Sequence, residues 1–203
     1  MAKITALFWD VGGVLLTNGW DRRARQQAVE KFGLDWEDFE DRHELVVTRF
    51  ETGRLTLEHY LDRTVFYRPR DFGKDEFRDY MFAQSRPLEG TLDLVGRIAR
   101  SGRYLLATLN NESRELNLHR IERFGLRKDF NVFFSSCFLG VMKPDDEIFR
   151  LALDLSQRTP EECMFIDDRE LNLECASRYG LCTLQFRNTA QLESDLRGAG
   201  VEI

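Results

Sequence analysis

Several features that would each define a class of protein are absent from this chain. It has no apolar run long enough to cross a bilayer, so a membrane-spanning protein is not expected. Its Lys and Arg residues are scattered and its formal net charge is −6, which argues against a nucleic-acid-binding surface. The four cysteines form no CxxC pair and have no matching histidine spacing, so neither a zinc site nor a disulfide framework is indicated. No signal-peptide pattern opens the sequence, and we expect a cytoplasmic protein.

What the chain does have is the composition of an ordinary globular protein. Of its 203 residues, 42 % are hydrophobic and 32 % are charged. This length is enough for one large domain, or for a core domain with a smaller inserted module.

Short apolar segments alternate with amphipathic segments after residue 86. This alternation is typical of a parallel sheet that is covered by helices on both faces. Together with the apolar run at 4–9, it predicts an α/β core domain built on a five-stranded parallel sheet. The other predicted strands are 104–108, 132–134, 164–166 and 182–185, and the predicted helices lie near 89–100, 113–123, 145–155, 170–178 and 189–197.

Residues 18–85 follow a different pattern, in which apolar side chains recur at spacings of three and four residues. This spacing predicts a mainly helical module, in which only 64–67 could form a short strand. A helical block placed directly after the first strand looks like an inserted cap. The predicted domains are therefore an α/β core of residues 1–17 and 86–203 and an all-helical cap of residues 18–85.

Polar residues occur at or just beyond the ends of predicted strands. Asp10 closes the first apolar run, Lys143 precedes a predicted helix, and Asp167 and Asp168 directly follow the run at 164–166. Open α/β sheets assemble their sites at the carboxyl ends of their strands. Two adjacent carboxylates there repel each other unless a cation is present, and Mg²⁺ is expected because it prefers hard oxygen ligands. Asp10 beside such a cation could attack a phosphate ester as a nucleophile.

These motifs, in this order, resemble the haloacid dehalogenase superfamily, and in particular its phosphatase-like members with a helical cap. The resemblance rests on Asp-x-x-Gly-Val from Asp10, Gly-x-x-Lys-Pro-Asp around Lys143, and Phe-Ile-Asp-Asp ending at Asp168. It implies a Rossmann-like core, a magnesium cofactor and hydrolysis of a small soluble phosphate ester through an aspartyl phosphate. The implied roles are Asp10 as nucleophile and metal ligand, the main-chain carbonyl of Gly12 as a metal ligand, Lys143 as the phosphate neutraliser, and Asp167 and Asp168 as metal ligands.

The chain departs from the family pattern at two positions. Family phosphatases usually carry a second Asp two residues after the nucleophile to protonate the leaving group, and this chain has Gly12 there. Losing a general acid typically lowers the rate by about two to four orders of magnitude. Some relatives, including a bacterial phosphatase for sugar 1-phosphates, share this glycine. The phosphate-binding hydroxyl at the end of the second strand is replaced by Leu109, so Asn110 and the backbone amides near Leu109 are the expected phosphate donors.

The cap is expected to select the substrate. Its loop 51–56 resembles the substrate-facing turn of related caps, and Glu51 or Arg54 is predicted to contact the leaving group. The leading hypothesis is a magnesium-dependent phosphatase, with sugar 1-phosphates as a substrate class whose leaving group departs readily. Two alternatives stay open: a phosphate-ester-binding or interaction protein that has lost catalysis, and a metal-free 2-haloacid dehalogenase.

Overall fold

The computed structural model describes residues 3–203 and contains a five-stranded parallel sheet. Its strands are β1 (Ala6–Trp9), β2 (Leu105–Asn110), β3 (Val132–Ser135), β4 (Cys163–Asp167) and β5 (Cys182–Gln185). They are ordered β3-β2-β1-β4-β5, and every neighbouring pair is parallel. The predicted α/β, Rossmann-like fold class is confirmed. Residues 1 and 2 of the predicted core domain lie outside the described residues.

Helices cover both faces of the sheet and also form a separate module. They are α1 (Arg22–Lys31), α2 (Trp36–Glu51), α3 (Leu57–Thr64), α4 (Lys74–Ala83), α5 (Thr91–Ser101), α6 (Arg114–Arg123), α7 (Ser136–Leu139), α8 (Asp146–Ser156), α9 (Glu170–Arg178) and α10 (Thr189–Gly198). In the part of the chain that the structure describes, none of them is both long and apolar enough to span a membrane.

The central strand β1 is buried on both of its faces. Leu7 and Trp9 pack into a cluster that includes Leu94 of α5, whereas Phe8 packs into a second cluster that includes Ile148 of α8. Side chains of a strand alternate between the two faces of the sheet, so a strand covered by helices on both sides is apolar throughout. This is why β1 could be recognised as a continuous apolar run that stops at a carboxylate.

Helices α1 to α4 pack around a further hydrophobic cluster, to which Leu116 of α6 also contributes. Phe39 and Phe50 of α2, Tyr60 of α3 and Phe77 of α4 are all buried in it. These helices lie within residues 18–85, the range predicted for the cap. The segment 64–67 is not a strand, because Thr64 completes α3.

Two linkers join the helical module to the sheet domain, and they run side by side. Thr17 Oγ1 of the first linker accepts a hydrogen bond from the Arg86 backbone N–H of the second (3.0 Å). Arg120, on α6 of the sheet domain, donates from Nε to Ser85 Oγ (2.9 Å) and from Nη2 to the Asn18 carbonyl (2.9 Å). A single buried side chain therefore holds both connections.

Candidate active site

Asp10 lies one residue beyond β1, at the carboxyl edge of the sheet. Its backbone N–H donates to the Ile166 carbonyl of β4 (2.8 Å), and its Oδ1 accepts from the Val11 backbone N–H (2.7 Å). The residue is only 8 % exposed but lines a cavity. Burial raises the pKa of Asp10 to about 7, an effect that Lys143 reduces and Asp167 increases. Asp10 is thus a fixed, buried carboxyl group whose ionised form is favoured by positive charge nearby.

Lys143 supplies one positive charge to this carboxyl group. Its Nζ lies 3.1 Å from Asp10 Oδ1 and 2.5 Å from Asp167 Oδ2. Asn111 fixes the Lys143 backbone, because its Oδ1 accepts from the Lys143 N–H (2.8 Å) and its Nδ2 donates to the Lys143 carbonyl (2.7 Å). Burial alone would lower the pKa of Lys143, but Asp10 and Asp167 together raise it above its ordinary value. Lys143 therefore stays charged beside the carboxylates.

Asp167, the last residue of β4, is held by donors on both of its carboxylate oxygens. Asn172 Nδ2 lies 3.1 Å from Oδ1 and 3.0 Å from Oδ2. The Arg169 backbone N–H also donates to Oδ1 (2.8 Å). These contacts, with Lys143, fix the orientation of the Asp167 side chain.

Asp168 is less completely satisfied. Its Oδ1 is buried and has no hydrogen-bond partner among residues 3–203. Gly13 makes room for it: a Cβ at residue 13 would lie 2.5 Å from Asp168 Oδ2, and the glycine has a φ of +82°. Burial, and then the charge of Asp167, raise the pKa of Asp168. An unpaired buried carboxylate oxygen of this kind is one that a cation would satisfy.

Asp10, Asp167 and Asp168 each offer a carboxylate oxygen, and the three oxygens lie within 4.8 Å of one another. Hard anionic oxygens at this separation, one of them unpaired, are a donor set that suits Mg²⁺. The raised pKa values of Asp10 and Asp168 have the same origin, because buried carboxylates that face one another favour protonation until a cation is bound. The residues present therefore fit a magnesium ion. The role of the Gly12 carbonyl as a further ligand stays a prediction.

At the end of β2, the side chains of Leu109 and Asn110 lie away from the cavity, although Asn110 was expected to donate to phosphate. The Leu109 side chain is fully buried in the hydrophobic core. Asn110 Nδ2 donates to Asn117 Oδ1 (3.1 Å), and its Oδ1 accepts from Ser135 Oγ (2.9 Å), so its amide is already engaged. Neither residue is among those that line the cavity. The residue that reaches the cavity is Asn111, because the chain turns out of the sheet after Asn110.

Gly12 faces the cavity and lies close to α6. A Cβ at this position would lie 3.2 Å from Asn18 Oδ1 and 3.7 Å from Arg120 Nη1. An acid at residue 12 would therefore stand next to a buried guanidinium group. That group is already paired with Glu112, whose Oε2 lies 2.8 Å from Arg120 Nη1.

The cavity has a volume of about 510 Å³ and lies between the sheet edge and the helical module. Of the two predicted cap residues, Glu51 lines it and Arg54 does not. Arg54 is exposed and donates to the Gly140 carbonyl (3.2 Å), so it joins the module to the loop before Lys143. The module also contributes Trp20, Arg25, His43 and Phe50 to the cavity wall.

Several site residues were not predicted from the sequence, and among them are Asn111, Glu112 and Arg120. The polar run Asn-Asn-Glu directly after the second predicted strand was a usable signal for the first two. Arg120 gave no signal, because an arginine in an amphipathic helix is normally solvated.

The fold and the site together are those of a hydrolase whose carboxyl groups fit a metal ion. The model of the haloacid dehalogenase-like hydrolases matches residues 4–180, and the chain belongs to this family.

Individual relatives are more distant. The chain is 28 % identical over 202 residues to chloroplastic flavin mononucleotide hydrolase 1 of Arabidopsis thaliana, which covers 99 % of this chain and 80 % of that protein. A haloacid dehalogenase family enzyme of Bacteroides thetaiotaomicron, solved with magnesium and inorganic phosphate, has a TM-score of 0.77 at 21 % identity, covering 91 % of this chain and 95 % of that one. An L-2-haloacid dehalogenase has a TM-score of 0.64 at 22 % identity, covering 91 % and 85 %. Likeness at this level shows the fold and leaves the choice of reaction to the site.

Proposed function

We propose that this chain is a magnesium-dependent phosphatase that hydrolyses a small phosphate ester through an aspartyl phosphate on Asp10. The observation that carries the proposal is the position of Lys143 Nζ, 3.1 Å from Asp10 and 2.5 Å from Asp167. A cation fixed beside the nucleophile neutralises the oxygens of a phosphate dianion as it is transferred.

Asp10, Lys143 and the acidic pair have distinct roles in the proposed phosphoryl transfer. A carboxylate oxygen of Asp10 attacks phosphorus, and the ester oxygen leaves with the bonding electrons. Lys143 balances the negative charge on the phosphate oxygens, and Asn111 keeps its backbone in place. Magnesium, when bound by Asp10, Asp167 and Asp168, supplies further charge neutralisation for the phosphate. Backbone amides near Leu109 stay the predicted phosphate donors on β2.

The acidic pair favours phosphate chemistry over dehalogenation. Dehalogenation in this superfamily needs no magnesium, whereas Asp168 next to Asp167 leaves a buried oxygen that lacks a partner in the described part of the chain. Such an arrangement is unfavourable unless it holds a cation. A metal-free 2-haloacid dehalogenase is therefore the weaker hypothesis.

The cavity suits a polar leaving group that carries a ring. Trp20 and Phe50 contribute aromatic side chains to its wall, and Glu51 contributes a carboxyl group that can bind a hydroxyl, whereas Arg25 is paired with Glu40. Because Gly12 cannot protonate a leaving group, we propose sugar 1-phosphates, whose leaving group departs more readily than a simple alkoxide. Flavin mononucleotide is a second compound to test, since the Arabidopsis relative is named for its hydrolysis. A cytoplasmic location and the absence of a nucleic-acid partner stay predictions.

The test is phosphate release from p-nitrophenyl phosphate, glucose 1-phosphate and flavin mononucleotide, with magnesium and with a chelator. We expect turnover that the chelator abolishes and that Asp10→Asn lowers by at least about three orders of magnitude. Asp41→Asn makes the same chemical change at an exposed position of α2 and should leave the rate unchanged.

Three results would contradict the proposal. One is full activity in Asp10→Asn. A second is halide release from a 2-haloacid without metal. The third is a rise in thermal stability with phosphate esters but no turnover, which would identify a relative that binds phosphate esters and has lost catalysis.

A further inference from the structure

Gly12 leaves the proposed reaction without its usual proton donor, but a second carboxyl group faces the same cavity. We propose that Glu51, on the cap, protonates the leaving group and then activates the attacking water. This inference rests on the proposed phosphatase activity.

Glu51 is the last residue of α2 and lines the cavity together with Asp10 and Gly12. The Ser136 hydroxyl ties it to the sheet domain, because it donates to the Glu51 carbonyl (2.6 Å) and accepts from the Glu112 N–H (3.0 Å). Glu51 and Glu112 are thereby held side by side across the boundary between cap and core.

Glu112 lies close to residue 12, the position at which family phosphatases carry their general acid. Its carboxylate lies 2.8 Å from Arg120 Nη1, and the same nitrogen lies 3.7 Å from the point where a Cβ of Gly12 would stand. One guanidinium group therefore separates Glu112 from the position that an acid at residue 12 would occupy. Glu51 is linked to Glu112 through Ser136 and lines the same cavity as Gly12.

The two glutamates differ in what surrounds their carboxyl groups. Glu112 receives hydrogen bonds from the Ser113 N–H (2.8 Å) and Ser113 Oγ (3.1 Å), besides its ion pair with Arg120. All of these contacts are donors, so Glu112 is stabilised as a carboxylate. The Glu51 carboxyl group has no hydrogen bond or ion pair within residues 3–203. Of two neighbouring carboxyl groups in such different surroundings, the one without donors holds a proton more readily.

The charges around Glu51 agree with this assignment. Burial, and to a smaller extent the charge of Glu112, raise the pKa of Glu51 to about 7, although nearby arginines oppose the rise. Burial raises the pKa of Glu112 as well, although Arg120 and the Ser113 donors oppose the rise. The charged groups that face Glu51 are Glu112 after β2, Arg169 after β4, Arg25 on α1 and Arg120 on α6. A carboxyl group that titrates near neutrality can both give and take a proton during one turnover.

The proposed steps balance. As Asp10 forms its bond to phosphorus, the bond from phosphorus to the leaving oxygen breaks, and that oxygen takes the Glu51 proton and leaves as an alcohol. Glu51 carboxylate then accepts a proton from water while the water oxygen bonds to phosphorus and the bond between Asp10 and phosphorus breaks. The products are the alcohol and hydrogen phosphate, and both carboxyl groups return to their initial states.

The experiment compares kcat/KM of the wild type, Glu51→Gln and Glu51→Asp on two substrates across pH. Glucose 1-phosphate needs a proton for its leaving group more than p-nitrophenyl phosphate does, because nitrophenolate is a stable anion. In Glu51→Gln we expect kcat/KM to fall by about two to four orders of magnitude for the sugar phosphate. The value for the aryl phosphate should fall by less than about tenfold. The decline of kcat/KM above pH 7, where the acid loses its proton, should vanish in Glu51→Gln and persist in Glu51→Asp. Glu44→Gln, exposed on the same helix, serves as the matched control.

Other outcomes are informative in different ways. If Glu51→Gln lowers kcat/KM equally for both substrates and keeps the alkaline decline, Glu51 is not the proton donor, while the phosphatase proposal stands. If the wild type shows no Asp10-dependent turnover of either ester, the phosphatase proposal itself is wrong and this inference fails with it.

Discussion

Arg120→Met tests the buried ion pair that lies beneath Gly12 and between the two linkers. Arg120 and Glu112 are 1 % and 7 % exposed, and Arg120 Nη1 lies 2.8 Å from Glu112 Oε2. Methionine keeps most of the side-chain volume, so the main effect of the substitution is to leave Glu112 buried without its partner. Breaking a buried pair from one side typically lowers the free energy of unfolding by about 3 to 5 kcal/mol.

The loss of the hydrogen bonds from Arg120 to the linkers adds to this figure. Its bonds to Ser85 Oγ and to the Asn18 carbonyl, both 2.9 Å, have a charged donor, and such bonds are typically worth about 1.5 to 3 kcal/mol each. In the opposite direction, Glu112 can take up a proton when its partner is gone, which limits the loss. We therefore expect a decrease of about 4 kcal/mol in the free energy of unfolding, a large part of the roughly 5 to 15 kcal/mol that is usual for a domain.

The assay is urea unfolding followed by tryptophan fluorescence. Arg120→Met, Glu112→Gln and the double variant form a double-mutant cycle, and the two effects should be non-additive by about 0.5 to 3 kcal/mol. Arg123→Met, at an exposed position of the same helix, is the matched control. The loss in Arg120→Met should shrink at lower pH. Burial raises the pKa of Glu112 and Arg120 lowers it, so without Arg120 the Glu112 pKa is higher still, and protonation at low pH removes the unpaired buried charge. A loss below about 1 kcal/mol, or full additivity in the cycle, would refute the reasoning.

Three further predictions follow from the same geometry. Gly13→Ala should lower the free energy of unfolding by at least about 1 to 2 kcal/mol, because residue 13 has a φ of +82°. It should also weaken magnesium-dependent activity, because the new Cβ would lie 2.5 Å from Asp168 Oδ2. Urea unfolding measures the first effect, and a magnesium titration of the activity measures the second. Burial raises the pKa of Glu51 from 4.5 to about 7, so its stabilising contribution is present below pH 4.5 and is lost as the pH rises through 7. Glu51→Gln should therefore increase the free energy of unfolding by about 1 to 3 kcal/mol at pH 8 and leave it unchanged at pH 4. Urea unfolding at the two pH values measures this difference. Gly12→Asp should pair with Arg120 and stay ionised, so it should not act as a second proton donor. The dependence of kcat/KM on the pKa of the leaving group should then be the same as in the wild type, and a flatter dependence would contradict this.

Most of the sheet could be predicted from the sequence, because each strand is a short apolar run between polar segments. The predicted bounds of 182–185 are those of β5. β2 runs two residues further than the predicted 104–108, since Leu109 packs into the core and the Asn110 amide bonds to Asn117 and Ser135. A buried side-chain hydrogen bond of this kind leaves no trace in the hydrophobic pattern. For the same reason, the sequence could not show that the Asn110 amide, predicted to bind phosphate, is hydrogen-bonded to Asn117 and Ser135.

The site could be predicted only where sequence position alone decides it. Asp10, Lys143 and Asp167 follow or precede regular elements, and parallel strands bring their carboxyl ends to one edge, where the structure places all three side chains together. Glu51 and Arg54 lie in one turn, and sequence alone could not tell which of them faces the cavity. The burial of Arg120 depends on two linkers that come from distant parts of the chain.

The attachment of both linkers to Arg120 has a consequence for exchanging caps between relatives. In a chimera with a transplanted helical module, the linkers would depend on a residue of the host domain, because Arg120 lies on α6 and donates hydrogen bonds to Ser85 Oγ and the Asn18 carbonyl of the linkers. A chimera that exchanges only residues between Asn18 and Ser85 would keep both acceptors and their hydrogen bonds to Arg120. A chimera that exchanges Asn18 and Ser85 as well would contain foreign linkers, which need not offer acceptors to the Arg120 guanidinium group. The natural boundary for recombination in this chain is therefore set by hydrogen-bond acceptors rather than by the ends of helices.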